Sequence, residues 1–292
     1  MKLLTGVYQG TEQVFILTAD EKKAVPVKTL GIPYNTMNEI IQNMTVAELN
    51  AKKAEAKEEQ AVSMEDIQKL APIPHPLQDV ICLGLNYGEH IKEAGKYDTK
   101  AFTKDKNEAI YFAKRVNTAP GDGGVIPAHE DIVSKLDYES ELAVIIGKDA
   151  YNVAAEDAAD YIFGYTVCND VSARDVQTAH KQWYFGKSLE GFTPLGPVIT
   201  TADDIAFPPV LNISSTVNGE LRQNDTTANL IFGIDYIIHE LTQGIELKAG
   251  TIIITGTPKG VGMGFDPPKF LKKGDVVTCE IEKIGSLTNT IV

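Results

Sequence analysis

Apolar and polar residues alternate closely enough over positions 1–30 to mark two or three strands: "LLTGVYQG", "QVFILTAD" and "KAVPVKTL". Period two is a strand signature because successive side chains project to opposite faces of a sheet. Residues 45–61, "TVAELNAKKAEAKEEQA", are rich in Ala, Glu and Lys and predict an exposed helix. Beyond residue 79 the chain becomes a series of strands separated by glycine-rich turns. Strands are predicted at 79–88 ("DVICLGLNYG", running into a loop), 109–116 ("AIYFAKRV"), 140–147 ("SELAVIIG") and 164–170 ("GYTVCND"). Another opens "TIIITGTPKGVGMG" (251–264) and feeds a glycine-rich loop. Within "LNISSTVNGELRQ" (211–223), Asn218-Gly219 between alternating flanks predicts a hairpin. Two helices complete the reading. "VAAEDAADYIF" (153–163) ends before Gly164, and "GIDYIIHELTQG" (233–244) stacks Ile234, Ile237, Ile238 and Leu241 on one face, with Gly244 as its cap. His239 lies off that stripe and is expected at the surface.

Many strands and few helices make the fold α/β but β-rich, a sandwich or roll rather than a doubly wound sheet. "APIPHPLQD" (71–79), with three prolines, is the best linker candidate. It divides a small N-terminal α+β domain (1–72) from a larger domain (73–292). His75, between Pro74 and Pro76, reads as linker rather than ligand. There is no internal repeat and no low-complexity tract.

Composition narrows the function classes. The 292 residues are 43% hydrophobic, enough for a sizeable core. A formal charge of −13 argues against nucleic acid as a partner, since phosphate binding needs clustered Lys and Arg. No apolar run approaches the ~20 residues of a membrane helix, and "MKLLTGVYQG" is too short a run for a signal-peptide core. A cytoplasmic protein without membrane contact is expected. Cys82, Cys168 and Cys279 are widely spaced and read as reduced thiols in or near the core.

Two phosphate-loop lookalikes fail. "GKS" (186–188) would need glycine at 181, where Lys181 stands, and "GTPKGVGMG" lacks both the dinucleotide-binding spacing and a following periodic helix. The acidic stretch "SKLDYESELAVIIGKD" (134–149) carries more. Asp137, Glu139 and Glu141 stand at alternate positions, on one face of a strand that continues as apolar "LAVIIG". Three readings are open: exposed edge-strand acids, neutralisation by lysine, or a divalent cation held by hard oxygen ligands. A cation needs a further ligand, and Asp170, ending "GYTVCND", is the candidate. Without His or Cys beside these acids, magnesium, manganese or calcium is preferred to zinc. In "NYGEHIKEAGKY", His90 and Glu93 are three apart, so one helical turn would join them. Spacing alone favours a surface pair. The polar segment 88–108, punctuated by glycines, is expected to be mobile without ligand and to close over a bound substrate.

Five motifs in order and spacing resemble the fumarylacetoacetate hydrolase superfamily: "GLNYGEH", "LDYESELAVIIGK", "NDVSARDVQ", "FGKSLEGFTPLGP" and "TGTPKGVG". The resemblance covers about residues 78–292, and residues 1–70 resemble the variable N-terminal extension of some members. It implies a mixed β-sandwich roll, usually dimeric, with magnesium or manganese on Glu139, Glu141 and Asp170, and Asp137 as a structural neighbour. It further implies Lys187 near the metal-bound oxygens, Thr257 holding a substrate carboxylate, Arg174 and Gln177 orienting the distal end, and His90 with Glu93 activating water. Arg115 departs from the pattern, several members having proline there. The implied activity is metal-dependent cleavage of a carbon–carbon bond in a 2-oxo or 1,3-diketo acid through an enolate. Oxaloacetate decarboxylation or tautomerisation, or a 5-carboxymethyl-2-hydroxymuconate isomerase-like reaction, is the alternative. A catalytically idle metal- or ligand-binding protein is a further one, against which His90 and Glu93 speak.

Overall fold

A computed structural model of the chain describes residues 1–98, 102 and 108–292. Among them, eleven strands form one large mixed sheet and five form a second sheet, with few helices between. The β-rich roll expected from the strand pattern is what the chain builds. Reading across the large sheet, Val62–Ser63, Lys23–Pro26, Thr11–Leu17 and Lys2–Tyr8 form one flank, with Gln68–Lys69 also paired to Lys2–Tyr8. Leu195–Thr201, Ile162–Asn169, Ser140–Ile146, Ile252–Ile254, Val80–Gly84 and Ile110–Lys114 follow in order. Neighbours are antiparallel except Ile252–Ile254 with Val80–Gly84. Lys2–Tyr8 pairs directly with Leu195–Thr201, Leu3 lying opposite Ile199. The boundary proposed at residue 72 therefore runs within one sheet.

Central strands are apolar on both faces because both are covered. Leu142, Val144 and Ile146 enter one core cluster while Ala143 and Ile145 enter another. The smaller sheet contains the hairpin Asn212–Val217 and Glu220–Thr226, turned at Asn218-Gly219 with φ of 51° and 80°. Only residues tolerant of positive φ suit both places. The helix Ile234–Thr242 buries the predicted isoleucine stripe. His239, however, is half-buried, its Nδ1 2.7 Å from the Val153 carbonyl.

Two helical predictions are shortened. The stretch 45–61 is an α-helix only over Val46–Ala54, opened by a capping box between Thr45 and Glu48. The segment 153–163 is a 3₁₀-helix over Ala155–Tyr161, without a side-chain cap at Ala154. Ile162 and Phe163 are drawn into the sheet two residues before Gly164, so strand pairing overrides the local helical preference. The acidic stretch also breaks at Tyr138: Leu136–Asp137 pairs Ser172–Ala173 in a small separate sheet, and Ser140–Ile146 joins the large one.

Candidate active site

The site lies where adjacent central strands begin and end. Glu139 precedes Ser140–Ile146, Glu141 is its second residue, and Asp170 follows Ile162–Asn169. Antiparallel register places Ser140 opposite Asn169, so a strand's start meets its neighbour's end. The Asp170 amide donates to the Glu139 carbonyl at 2.8 Å, and the Glu139 amide to Asn169 Oδ1 at 3.1 Å, tying the two ends. One carboxylate oxygen from each of Glu139, Glu141 and Asp170 lies within 4.8 Å of the others. All three residues are buried, which excludes the exposed-acid reading.

Cations share the burial. Lys187 Nζ donates to Glu139 Oε2 and Asp170 Oδ2, each at 2.7 Å. Lys114 donates to the other Asp170 oxygen at 2.5 Å, and Arg174 Nη2 to Glu139 Oε1 at 2.6 Å. Burial alone would raise the Glu139 pKa, but Arg174 and Lys187 together hold it well below the ordinary glutamate value. Glu141 shifts the other way. Burial pushes it up, and the charges of Asp170 and Glu139 push further, against Lys187 and a 2.7 Å hydrogen bond from the Gly256 amide. Glu141 forms no ion pair with a described residue. A buried carboxylate short of positive charge beside two others is a donor set that fits a hard divalent cation.

Across the cavity stands the helix Gly88–Tyr97, which carries His90 and Glu93. His90 Nδ1 lies 3.1 Å from Glu93 Oε2, and His90 is buried, so the pair is not a surface one. Glu93 also accepts from the Gly260 amide at 3.0 and 3.2 Å. Of the segment expected to be mobile, residues 99–101 and 103–107 lie outside the described residues. One small cavity brings His90, Glu139, Glu141 and Lys187 together with Arg174, Gln177 and Thr257. Asp170 sits behind Lys187, fully buried.

Several partners differ from the simplest expectation. Arg174 pairs Asp137 (Nε, 2.9 Å) and Glu139, while Asp175 accepts from Ser134. Gln177 Oε1 accepts from Arg174 Nη1 at 3.1 Å. The Thr257 hydroxyl donates to the Ser140 carbonyl at 2.9 Å and accepts from Gln223 Nε2 at 2.7 Å. Asp137 takes the amides of Gly262 (2.6 Å) and Met263 (3.0 Å) and lies outside the ligand cluster. Arg115, the departure from the family pattern, donates its amide to Ser188 Oγ at 3.0 Å, a bond proline could not make. Lys114 and Gln223 escaped sequence reasoning. The available signal for Lys114 was a lysine closing a strand whose neighbours are apolar; Gln223 gave none, since a glutamine on a hairpin reads as solvated.

Comparison with known proteins identifies the family. Residues 79–292 match the family described as fumarylacetoacetate (FAA) hydrolase C-terminal. The chain is 44% identical over 229 residues to oxaloacetate tautomerase YisK of Bacillus subtilis, covering 78% of this chain and 74% of that protein. It superposes on the fumarylacetoacetate hydrolase of Exiguobacterium antarcticum with TM-score 0.84 and 35% identity, over 100% of this chain and 99% of that one. A maleylpyruvate hydrolase from Sphingobium sp. SYK-6, solved with manganese(II) and pyruvate, aligns with TM-score 0.78 and 27% identity over 100% and 99% of the two chains. Motif order, β-rich fold and buried carboxylate cluster converge, and the chain belongs to the fumarylacetoacetate hydrolase family.

Proposed function

We propose that this protein is a divalent-metal enzyme acting on a small 2-oxo acid through an enolate, with oxaloacetate keto–enol tautomerisation, by proton transfer, or decarboxylation, by loss of carbon dioxide, as the leading reactions. The observation that carries it is the His90–Glu93 pair, whose buried imidazole lines one cavity with Glu139 and Glu141 of the carboxylate cluster. The 44% relative named for oxaloacetate supports that substrate class. Carbon–carbon hydrolysis of an acylpyruvate, foremost on sequence, becomes the second reading, supported by the hydrolases among the structural neighbours.

Magnesium or manganese on Glu139, Glu141 and Asp170 would supply Lewis-acid polarisation of the substrate's keto and carboxylate oxygens. Lys187 places an ammonium where negative charge develops on the keto oxygen, a contribution realised mainly in the transition state. Glu93 accepts from His90 Nδ1–H and so leaves Nε2 as the base. In tautomerisation Nε2 takes a proton from the methylene carbon and the resulting imidazolium returns it to the enolate oxygen; in hydrolysis Nε2 would take one from water. Arg174, Gln177 and Thr257 orient the substrate's charged and distal groups. We also propose a cytoplasmic homodimer, with residues 1–72 as a smaller N-terminal part whose strands extend the large sheet.

The test is a panel of oxaloacetate and acylpyruvates with and without Mn²⁺, on wild type and His90→Ala. Expected is Mn²⁺-dependent loss of the oxaloacetate keto form, with His90→Ala binding Mn²⁺ normally and losing that activity. Wild-type rates in His90→Ala would remove the pair from the mechanism. Mn²⁺ binding without turnover of any substrate would favour the idle binding protein.

A further inference from the structure

The glycine-rich loop 260–264 touches two carboxylates with different duties. At one end, the amides of Gly262 and Met263 hold Asp137, which Arg174 also grips. At the other, the Gly260 amide donates to both oxygens of Glu93. Gly260 is itself fixed. Its φ of 106° is a conformation that favours glycine, a Cβ there would overlap the Arg222 carbonyl, and its own carbonyl accepts from the Tyr138 hydroxyl at 2.8 Å. Gly264 differs in kind. Its φ is not positive, and the three atoms nearest to a Cβ on it would all belong to the Glu93 side chain, Oε1, Cδ and Cγ, each in collision.

We propose that Gly264 and the Gly260 amide form a cradle that fixes the Glu93 carboxylate, so that Gly264 is a positioning residue acting through Glu93 on His90. This rests on the reading of His90 and Glu93 as the proton-transfer pair. An imidazole keeps one tautomer when one ring nitrogen has a fixed partner. His90 Nδ1 depends for that on Glu93 Oε2 at 3.1 Å. Glu93 comes from the helix Gly88–Tyr97, which must dock against the loop for the carboxylate to arrive. A methyl group at 264 leaves the backbone allowed but occupies the carboxylate's place, and the far end of Glu93 is the part free to yield. Tyr138 directly precedes Glu139, so the cradle and the carboxylate cluster are registered through one stretch of chain.

Gly264→Ala is the test. In metal-free protein labelled with ¹⁵N-histidine, the His90 signals, identified by their loss in His90→Ala, should show one fixed tautomer in wild type. They should move toward averaged values in Gly264→Ala, as in Glu93→Ala. In the Mn²⁺-loaded enzyme Gly264→Ala should lower kcat by about 10- to 100-fold, with KM and Mn²⁺ affinity changed less than about twofold. In the Glu93→Ala background the same substitution should cost nothing further, since both act through one group. Unchanged His90 signals, or an equal loss in both backgrounds, would overturn the proposal. Should Gly264→Ala fail to fold, Tyr138→Phe carries the spectroscopic test with the same expected direction. An inactive wild type would defeat the functional reading alone, because the His90 tautomer is read without substrate or metal.

Discussion

The outer strands contributed by residues 1–70 and the centre around Glu139 belong to one sheet, yet they treat charge in opposite ways. In the outer part Leu3, Leu4, Phe15, Ile16 and Val25 fill the interior, and charged residues pair at the rim, as in Lys2–Glu21 and Lys52–Glu55. In the centre, Lys114, Glu139, Glu141, Asp170, Arg174 and Lys187 are all buried, and the ion pairs among them are no longer than 2.7 Å. Buried ion pairs stabilise a fold no better than well-packed apolar side chains of similar size, because desolvation cancels most of their attraction. Among the described residues of the outer part no charged side chain is buried. The proposed chemistry, rather than stability, is the reason we assign to the central set.

The sharpest way to break that contrast is Glu139→Gln, which keeps shape and removes charge. It should abolish turnover and most Mg²⁺ or Mn²⁺ affinity, read by calorimetric titration. It should also destabilise the metal-free protein by about 3–5 kcal/mol, because Arg174 and Lys187 lose a buried counter-charge. Titration matching wild type would place the metal elsewhere. Lys187→Met comes next. It should lower kcat about 100-fold or more with KM changed only a few-fold. An unchanged kcat would reduce Lys187 to neutralising Glu139 and Asp170.

Within the centre, Glu139 and Glu141 share a face and differ in sign. The lowered pKa of Glu139 gives stability that is present above the ordinary glutamate range and lost as pH falls through its folded pKa. The raised pKa of Glu141 works in reverse: its contribution is present below the ordinary range and lost as pH rises through its folded pKa. Glu141→Gln should therefore stabilise the metal-free protein at neutral pH by about 1 kcal/mol or more, while weakening metal binding like Glu139→Gln. The gain should grow as pH rises through Glu141's raised range and vanish in acid. Denaturant melts of metal-free protein across that range decide it, and destabilisation at neutral pH would mean that Glu141 already has a countercharge.

The sequence made the strands, the hairpin at Asn218-Gly219 and the clustering of Glu139, Glu141 and Asp170 legible, because each rests on local spacing plus a recurring motif. What it concealed was pairing across the fold. Nothing near Lys114 in the chain announces Asp170, 56 positions away. Arg174 has an acid beside it in sequence and ignores it for Asp137 and Glu139. The continuity of residues 1–70 with the main sheet was hidden for the same reason. The proline-rich stretch does look like a linker, and only the Leu3–Ile199 register shows that the chain crosses it to pair with a strand far away. The glycines of 260–264 were visible as a loop, but their grip on Glu93 depends on a helix from elsewhere in the chain.

The smallest effect tests the other side of the comparison. Lys2 and Glu21 form a 2.6 Å ion pair at the sheet's flank, with side chains 20% and 49% exposed. The distance is as short as the Lys187 contacts, so geometry alone would rank the two pairs equal. Exposure separates them. Water screens the outer pair and solvates either partner left alone, so a double-mutant cycle of Lys2→Ala and Glu21→Ala should give a coupling within about 0.5 kcal/mol. That coupling should shrink further in salt of about 1 M, where the screening length falls to about 3 Å. The same cycle on Lys187 and Glu139 in metal-free protein should give several times that value and resist salt, because both charges are almost fully buried. Equal couplings at the two sites would mean that burial does not distinguish the regions, and the inference that the central charges are kept for chemistry would lose its physical basis.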